Sequence, residues 1–316
     1  MKIVIPDWKT VSSGDLDESL LTALGDVTFY PLTARDQLAE RIGDADAVLC
    51  NKSVLTEEVF EKTPNLRYIG LFATGYNTID IQAATKRGIT VCNAGTYSTE
   101  AVAQHTIALL LSLTNRIAEY DALVQRGDWI RSDVFSPFCY PMTELAGKTL
   151  GIVGYGSIGK AVARIAAALG MQVLCYTRTP RPDETVRFVD FSELLAQSDV
   201  VSVHCPLTPQ SRHLFDEQAF SKMRDGALFL NTARGPIVDE HALRAALDAG
   251  KLGGAALDVL ETEPMSETCP LYGAPRCLIT PHVAWAPVVT RSRLLHIVCD
   301  NLKAYMAGTP QHVVNP

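Results

Sequence analysis

The sequence predicts an α/β protein of two domains, each built on a parallel, doubly wound sheet. Three observations predict it. The chain has 316 residues, about twice the usual single-domain length, so each half can bury a core of its own. Short apolar, β-branched runs recur through the second half, their starts roughly 20–30 residues apart. Between them lie Ala- and Leu-rich stretches at helical spacing that end in Gly, such as GKAVARIAAALG and DEHALRAALDAG. Strand–helix alternation of this kind specifies a parallel sheet with helices on both faces.

In chain order, the first hundred residues carry five candidate strands: KIVIP, VTFY, DAVLC, RYIGLF and ITVCN. They form a second, smaller α/β unit. The stretch 98–124, STEAVAQHTIALLLSLTNRIAEYDALV, reads as one long helix whose start at Ser98 and Glu100 looks capped and whose middle is apolar. Its apolar run at 106–113 suits packing between domains or subunits. Six strands follow: TLGIVG at 149–154, VLCY at 173–176, DVVSVH at 199–204, ALFLN at 227–231, AALDV at 255–259 and CLIT at 277–280. A last helical stretch, 286–308, either covers the second sheet or returns the chain to the first domain; the sequence leaves both open.

Composition narrows the partners. The net charge is −7 and no Lys/Arg run occurs, which argues against nucleic acid or an anionic membrane surface. The longest uninterrupted apolar run, IALLL at 107–111, falls far short of the ~18 residues a span requires. The eight cysteines (50, 92, 139, 175, 205, 269, 277 and 299) stand singly with no C-x-x-C, as in a reduced cytoplasmic protein without a metal site.

The first chemical signal is GYGSIG, Gly154 to Gly159, between the strand TLGIV and the helix KAVARIAAALG. Gly154 permits the tight turn, Gly156 lets the backbone approach a pyrophosphate, and Gly159 lets helix and strand pack closely. Such a loop in this context predicts a nicotinamide dinucleotide, NADP or NAD. An acid at the end of the next strand would hold the ribose hydroxyls, yet the chain reads Tyr176-Thr177-Arg178-Thr179 and has no carboxylate before Asp183. The charge that repels a 2′-phosphate is missing, so NADPH is not excluded. Arg178 either clamps that phosphate with help from Thr177, or points to solvent or stacks on the adenine.

Three residues fall where open α/β sheets place ligands: Arg234 in NTARGP, Glu263 in DVLETEP and His282 in ITPHVAW. After a dinucleotide loop they supply what oxidation of a 2-hydroxy acid requires. A guanidinium grips a carboxylate with two parallel bonds, an imidazole exchanges the hydroxyl proton, and a carboxylate on its far nitrogen fixes the tautomer.

At these residues the chain resembles the D-isomer-specific 2-hydroxyacid dehydrogenase family. The segments LFATGYNTID, STEAVAQHTIALLL, ELAGKTLGIVGYGSIG, VSVHCPLTPQSRHLF, LFLNTARGPIVDEHAL, GAALDVLETEP and ITPHVAWA carry the resemblance over essentially the whole length. It implies two Rossmann-like domains with a catalytic cleft between them: a discontinuous, flavodoxin-like substrate-binding domain from 1–98 and 286–316, and an NAD(P)-binding domain from 99–285. It implies Arg234 as the carboxylate ligand, His282 as acid/base and Glu263 as its partner. It further implies Ser157 and Ile158 at the pyrophosphate, with Thr106, Cys205, Pro206, Thr232, Ala233 and Asp258 lining the cofactor site and Asp258 on the nicotinamide carboxamide. ATGYN and HVAWA look most like the glycerate dehydrogenase, or hydroxypyruvate reductase, branch. In ATGYN the amides of Thr74, Gly75 and Tyr76 can form an anion nest for the substrate. The resemblance also implies a homodimer through the larger domain. Two rivals stand beside this reading: another keto acid as substrate, and a corepressor-like protein that senses NAD(H) without turnover, against which the lack of a basic or disordered tail counts.

Overall fold

The computed structural model describes residues 1–180 and 183–316. The chain folds as two compact units, Met1–Ser98 with Ala286–Pro316, and Thr99–Trp285.

The first unit is built on β1 (Lys2–Ile5), β2 (Asp26–Phe29), β3 (Ala47–Cys50), β4 (Tyr68–Leu71) and β5 (Thr90–Cys92), with helices α1 (Ser19–Thr22), α2 (Leu38–Ile42), α3 (Glu57–Lys62) and α4 (Ile81–Lys86) between them. All pairs are parallel, in the order β2-β1-β3-β4-β5. β3 and β4 are buried along their whole length, as continuous apolar runs in a sheet covered on both faces must be.

The second unit opens with α5 (Thr99–Asn115) and α6 (Ile117–Gln125). The expected single helix is therefore two. Arg116 takes a left-handed backbone (φ +54) at the break, with its guanidinium 2.7 Å from Glu119 and over the Tyr140 ring; nothing in the Leu-rich pattern marks that position. Then come β6 (Thr149–Val153), α7 (Ser157–Ala168), β7 (Gln172–Tyr176), β8 (Arg187–Phe188), α8 (Phe191–Gln197), β9 (Val200–Val203), α9 (Glu217–Lys222), β10 (Ala227–Asn231), α10 (Glu240–Asp248), β11 (Leu252–Leu257) and β12 (Cys277–Ile279). The sheet order is β12-β11-β10-β9-β6-β7-β8. Its order reverses between β6 and β9, the switch point where such sheets open a ligand crevice beyond their carboxyl ends. β8, only two residues long, is too short to register as a strand in the sequence.

α5 packs on this sheet, and its apolar run is used up there: Ile107, Leu109, Leu110 and Leu113 are buried in one core with β6, β7 and α7. The run offered above to a partner thus lies in the unit's own interior. The other face is filled by Phe215, Phe220 and Phe229, whose rings meet 4.8–6.1 Å apart; each such pair adds roughly 0.5–1.5 kcal/mol beyond area burial.

The last helix, α11 (Val288–Met306), belongs to the first unit and packs on β4. Its Arg291 binds both oxygens of Asp15 at 2.8 and 2.6 Å, which holds that carboxyl well below the usual range. Beyond it, Val313 bridges Cys92 antiparallel, and Asn315 Oδ1 accepts from the Val91 amide at 2.8 Å, so the tail covers the outer edge of β5.

Candidate functional site

The glycine loop follows β6 at the switch point. Gly154 has φ +102, and a Cβ there would stand 2.5 Å from the Cys205 amide nitrogen; only Gly allows the loops after β6 and β9 to meet. A Cβ on Gly159 would lie 2.2 Å from the Gly154 carbonyl oxygen, so the third glycine sets the approach of α7 to β6. Helices α4, α8, α9 and α10 each start with an Asp whose carboxylate accepts first-turn amides. α7 instead starts at Gly156 with no side-chain cap. Its first-turn amides, those of Ser157 and Ile158 among them, stay available to an anion, and the macrodipole favours one there.

A pocket of about 340 Å³ opens beside this loop. Gly154, Gly156, Thr177, Arg178, Cys205 and Pro206 all line it, together with His204. Arg178 is exposed on its wall. Asp183, the first carboxylate after β7, is already taken: it accepts from the Thr185 hydroxyl at 2.5 Å, from the Thr185 amide at 3.0 Å and from Tyr155 Oη at 2.8 Å, which together hold its pKa below the usual range. His204 binds Ser202 Oγ at 2.8 Å through Nε2 while Nδ1 is buried, and burial lowers its pKa to about 4. Burial likewise pushes the Cys205 thiol up to about 11, so it is a neutral wall residue.

Thr106 and Asp258 are 0% and 1% exposed and stand behind the surface. The Thr106 hydroxyl donates to Val102 O at 2.8 Å and therefore accepts from Thr232 Oγ1 at 2.9 Å, tying α5 to the end of β10. Ile158 is half-buried, its side chain packed against the core.

Beyond β10 the Asn231 side chain folds the loop on itself, donating to Arg234 O at 2.9 Å and accepting from the Ala233 amide at 3.0 Å. Arg234 is half-buried, and its Nη1 reaches Ala233 O at 2.6 Å. Next to it Gly235 passes so close to the loop after β11 that a Cβ would stand 1.9 Å from Leu260 C and O. That crossing fixes Arg234 relative to the Glu263 loop. Glu263 accepts from the Leu260 amide at 3.1 Å with Oε1, and its Oε2 lies 2.7 Å from His282 Nδ1. An ionised Glu263 can only accept, so Nδ1 carries the proton and Nε2 is left as the exchangeable site. His282 itself has φ +55, a left-handed backbone that a non-Gly residue keeps only when its surroundings over-determine it. Asp258 does so: its carboxylate accepts from the Val283 and Ala284 amides, both at 2.9 Å, and from Thr280 Oγ1 at 2.5 Å. This anchoring was not legible in the sequence, where Asp258 carried only a cofactor role.

In the first unit, the loop 73–76 leaves β4 and is pinned by its neighbours. Asn93 Nδ2 donates to Thr74 O at 2.7 Å, and the Thr74 hydroxyl donates to Gly95 O. Thr74 and Tyr76 are exposed, and the amides at 74–76 donate to no group among the described residues. Beside it, the loop 51–53 is gathered by Asp7, a buried carboxylate that accepts the amides of Asn51, Lys52 and Ser53 at 2.7–3.2 Å.

Comparison with known proteins agrees with this architecture. Residues 107–284 match the model of the D-isomer specific 2-hydroxyacid dehydrogenase, NAD binding domain. The chain is 44% identical to a hydroxypyruvate reductase of Blautia hydrogenotrophica over the full length of both, and 40% identical to a glycerate dehydrogenase of Methylorubrum extorquens over 88% of each. The crystal structure of the TT0316 protein from Thermus thermophilus superimposes with a TM-score of 0.90 at 36% identity, covering 99% of this chain and 100% of that one. A glycine loop at the switch point and a doubly wound sheet belong to many proteins, but a match that spans both units does not, and the chain is therefore an oxidoreductase of the D-isomer specific 2-hydroxyacid dehydrogenase family, its larger unit containing the family's NAD binding domain.

Proposed function

We propose that this enzyme reduces small 2-keto acids, hydroxypyruvate to D-glycerate first and glyoxylate to glycolate less well. The observation that carries the reading is the 2.7 Å contact between His282 Nδ1 and Glu263, which leaves Nε2 as a proton donor at the end of the sheet where ligands bind. In this reading Arg234 grips the substrate carboxylate, and the amides of Thr74, Gly75 and Tyr76 are proposed, within the first unit, as a separate anion nest. His282 gives the carbonyl oxygen its proton and Glu263 stabilises the charged ring. The nicotinamide dinucleotide, when bound, supplies the hydride. Asp258, behind the loop, keeps the imidazole in register, and it is the proposed acceptor for the carboxamide. The substrate preference rests on the named activities of the relatives and on the polar loop 73–76.

The first unit is the proposed substrate-binding domain. NADPH is proposed to serve at least as well as NADH, because Arg178 and Thr177 line the pocket and the nearest acid is occupied. A homodimer is proposed through the segment 129–138, where Ile130, Phe135 and Phe138 are 88%, 90% and 93% exposed; patches of this kind mark interfaces. The cytoplasm is the proposed compartment, which suits eight free thiols, four of them buried. No helix among the described residues is long and apolar enough to cross a membrane.

The test is a panel of hydroxypyruvate, glyoxylate, pyruvate and a branched keto acid against both coenzymes, with His282→Ala as control. A higher kcat/KM for pyruvate or the branched acid refutes the substrate assignment. A His282→Ala enzyme keeping more than about a tenth of kcat refutes the acid/base role, since such catalysis contributes ~10²–10⁴-fold.

A further inference from the structure

The loop that carries His282 hangs on a directional chain of hydrogen bonds that begins on α5. Asp258, as a carboxylate, only accepts, so the 2.5 Å contact from Thr280 Oγ1 uses the threonine's hydroxyl hydrogen. The lone pairs of that oxygen then face His105 Nε2 at 2.9 Å, and only an N–H satisfies the contact. His105 thus holds a proton on Nε2, directed at Thr280 and 3.5 Å from Asp258 Oδ1. The base of the chain is rigid. His105 sits on α5 next to Thr106, whose hydroxyl is fixed on both sides, and the apolar face of that helix is buried. At the far end stands His282 in its left-handed conformation, held through the amides of the two residues after it.

We infer that His105 is a positioning residue for the acid/base: its Nε2–H orients Thr280 and Asp258, and through them sets where His282 presents its own Nε2. The inference rests on the proposed role of His282. It does not require His105 to touch substrate or coenzyme. Loss of the donor leaves Thr280 free to rotate toward Leu257 O, 3.5 Å away, and Asp258 loses its directed partner.

The test compares His105→Leu with His105→Gln, whose amide Nε2–H reaches the same place, each alone and combined with His282→Ala. Hydroxypyruvate reduction gives kcat and KM, and quenching of tryptophan fluorescence gives the coenzyme Kd. The leucine variant is expected to lose about tenfold in kcat, the scale of a small misplacement of a reacting group, with KM and Kd within about twofold. The glutamine variant is expected to recover at least about half of wild-type kcat, because it restores the donor. On the His282→Ala background the leucine substitution is expected to change nothing further, the signature of two residues acting as one unit. Wild-type kcat in His105→Leu, an equal loss in His105→Gln, or a loss that persists unaltered without His282 each overturns the inference while the acid/base role stands. A His282→Ala enzyme as fast as wild type overturns that role, and this inference with it.

Discussion

His204 makes a pH-dependent contribution to stability that can be worked from its surroundings. The residue follows β9 and lines the dinucleotide pocket, with Nδ1 buried and its pKa lowered to about 4. In the unfolded chain the ring titrates near ~6.5. Between these values the unfolded state binds a proton that the folded state refuses, so acid favours unfolding. The sign is that of a depressed base. Its full contribution is present above pH ~6.5, is lost as the pH falls, and the loss is complete once the pH passes below about 4. At pH 5 the proton-binding ratio of the two states differs by about thirtyfold, or ~2 kcal/mol, nearly all of it gained since pH 7.5. His204→Gln cannot titrate and keeps a polar group near Ser202. Urea unfolding of both proteins at pH 7.5 and pH 5 isolates the ring from every other titrating group. Wild type is expected to lose about 2 kcal/mol more than the variant between the two values. Equal losses would show that the ring is hydrated and charged in the native protein, and that this wall of the pocket is not dry.

Three further outcomes are expected. Gly159→Ala places a Cβ 2.2 Å from the Gly154 carbonyl, so it should weaken coenzyme binding by tenfold or more, on the order of 1.4 kcal/mol, in a fluorescence titration; unchanged affinity would remove the loop from the site. Arg178→Ala should lower kcat/KM for NADPH by about tenfold or more and leave NADH within about twofold, since a guanidinium–phosphate bond is charge-assisted; equal effects on both coenzymes would show that Arg178 does not read the phosphate. Phe135→Asp combined with Phe138→Asp should yield monomers by light scattering, because each ring contributes ~1.5–3 kcal/mol when buried in an interface; an unchanged mass would place the interface elsewhere.

The sheets were legible because buried parallel strands are continuous apolar runs bounded by Gly and Asp, and TLGIV, VVSV and ALFLN could be little else. Gly154, Gly156 and Gly159 were legible for a related reason, since a backbone that must touch another backbone excludes side chains. What escaped was set by long-range contact. The break at Arg116 depends on Glu119 and Tyr140, β8 exists only because β7 lies beside it, and the anchoring by Asp258 comes from residues 22–26 positions away. The apolar run at 106–113 shows the converse limit: periodicity marks a buried face, but not whether the unit's own core or a partner buries it.

The closure of the first unit by α11 and the tail has a consequence for vectorial synthesis. Its five strands leave the ribosome early, but the helix that packs on β4 and the residues that cap β5 follow only after the whole intervening unit has been made. At the ~5–20 residues per second of translation, the small sheet waits on the order of ten seconds or more with the α11 site on β4 and the outer edge of β5 uncovered. Uncovered strand edges template association with other chains. The first unit therefore cannot be completed before the second has been synthesised, and a chain stalled near residue 285 would carry the whole sequence of the nucleotide unit beside a sheet still lacking its last helix.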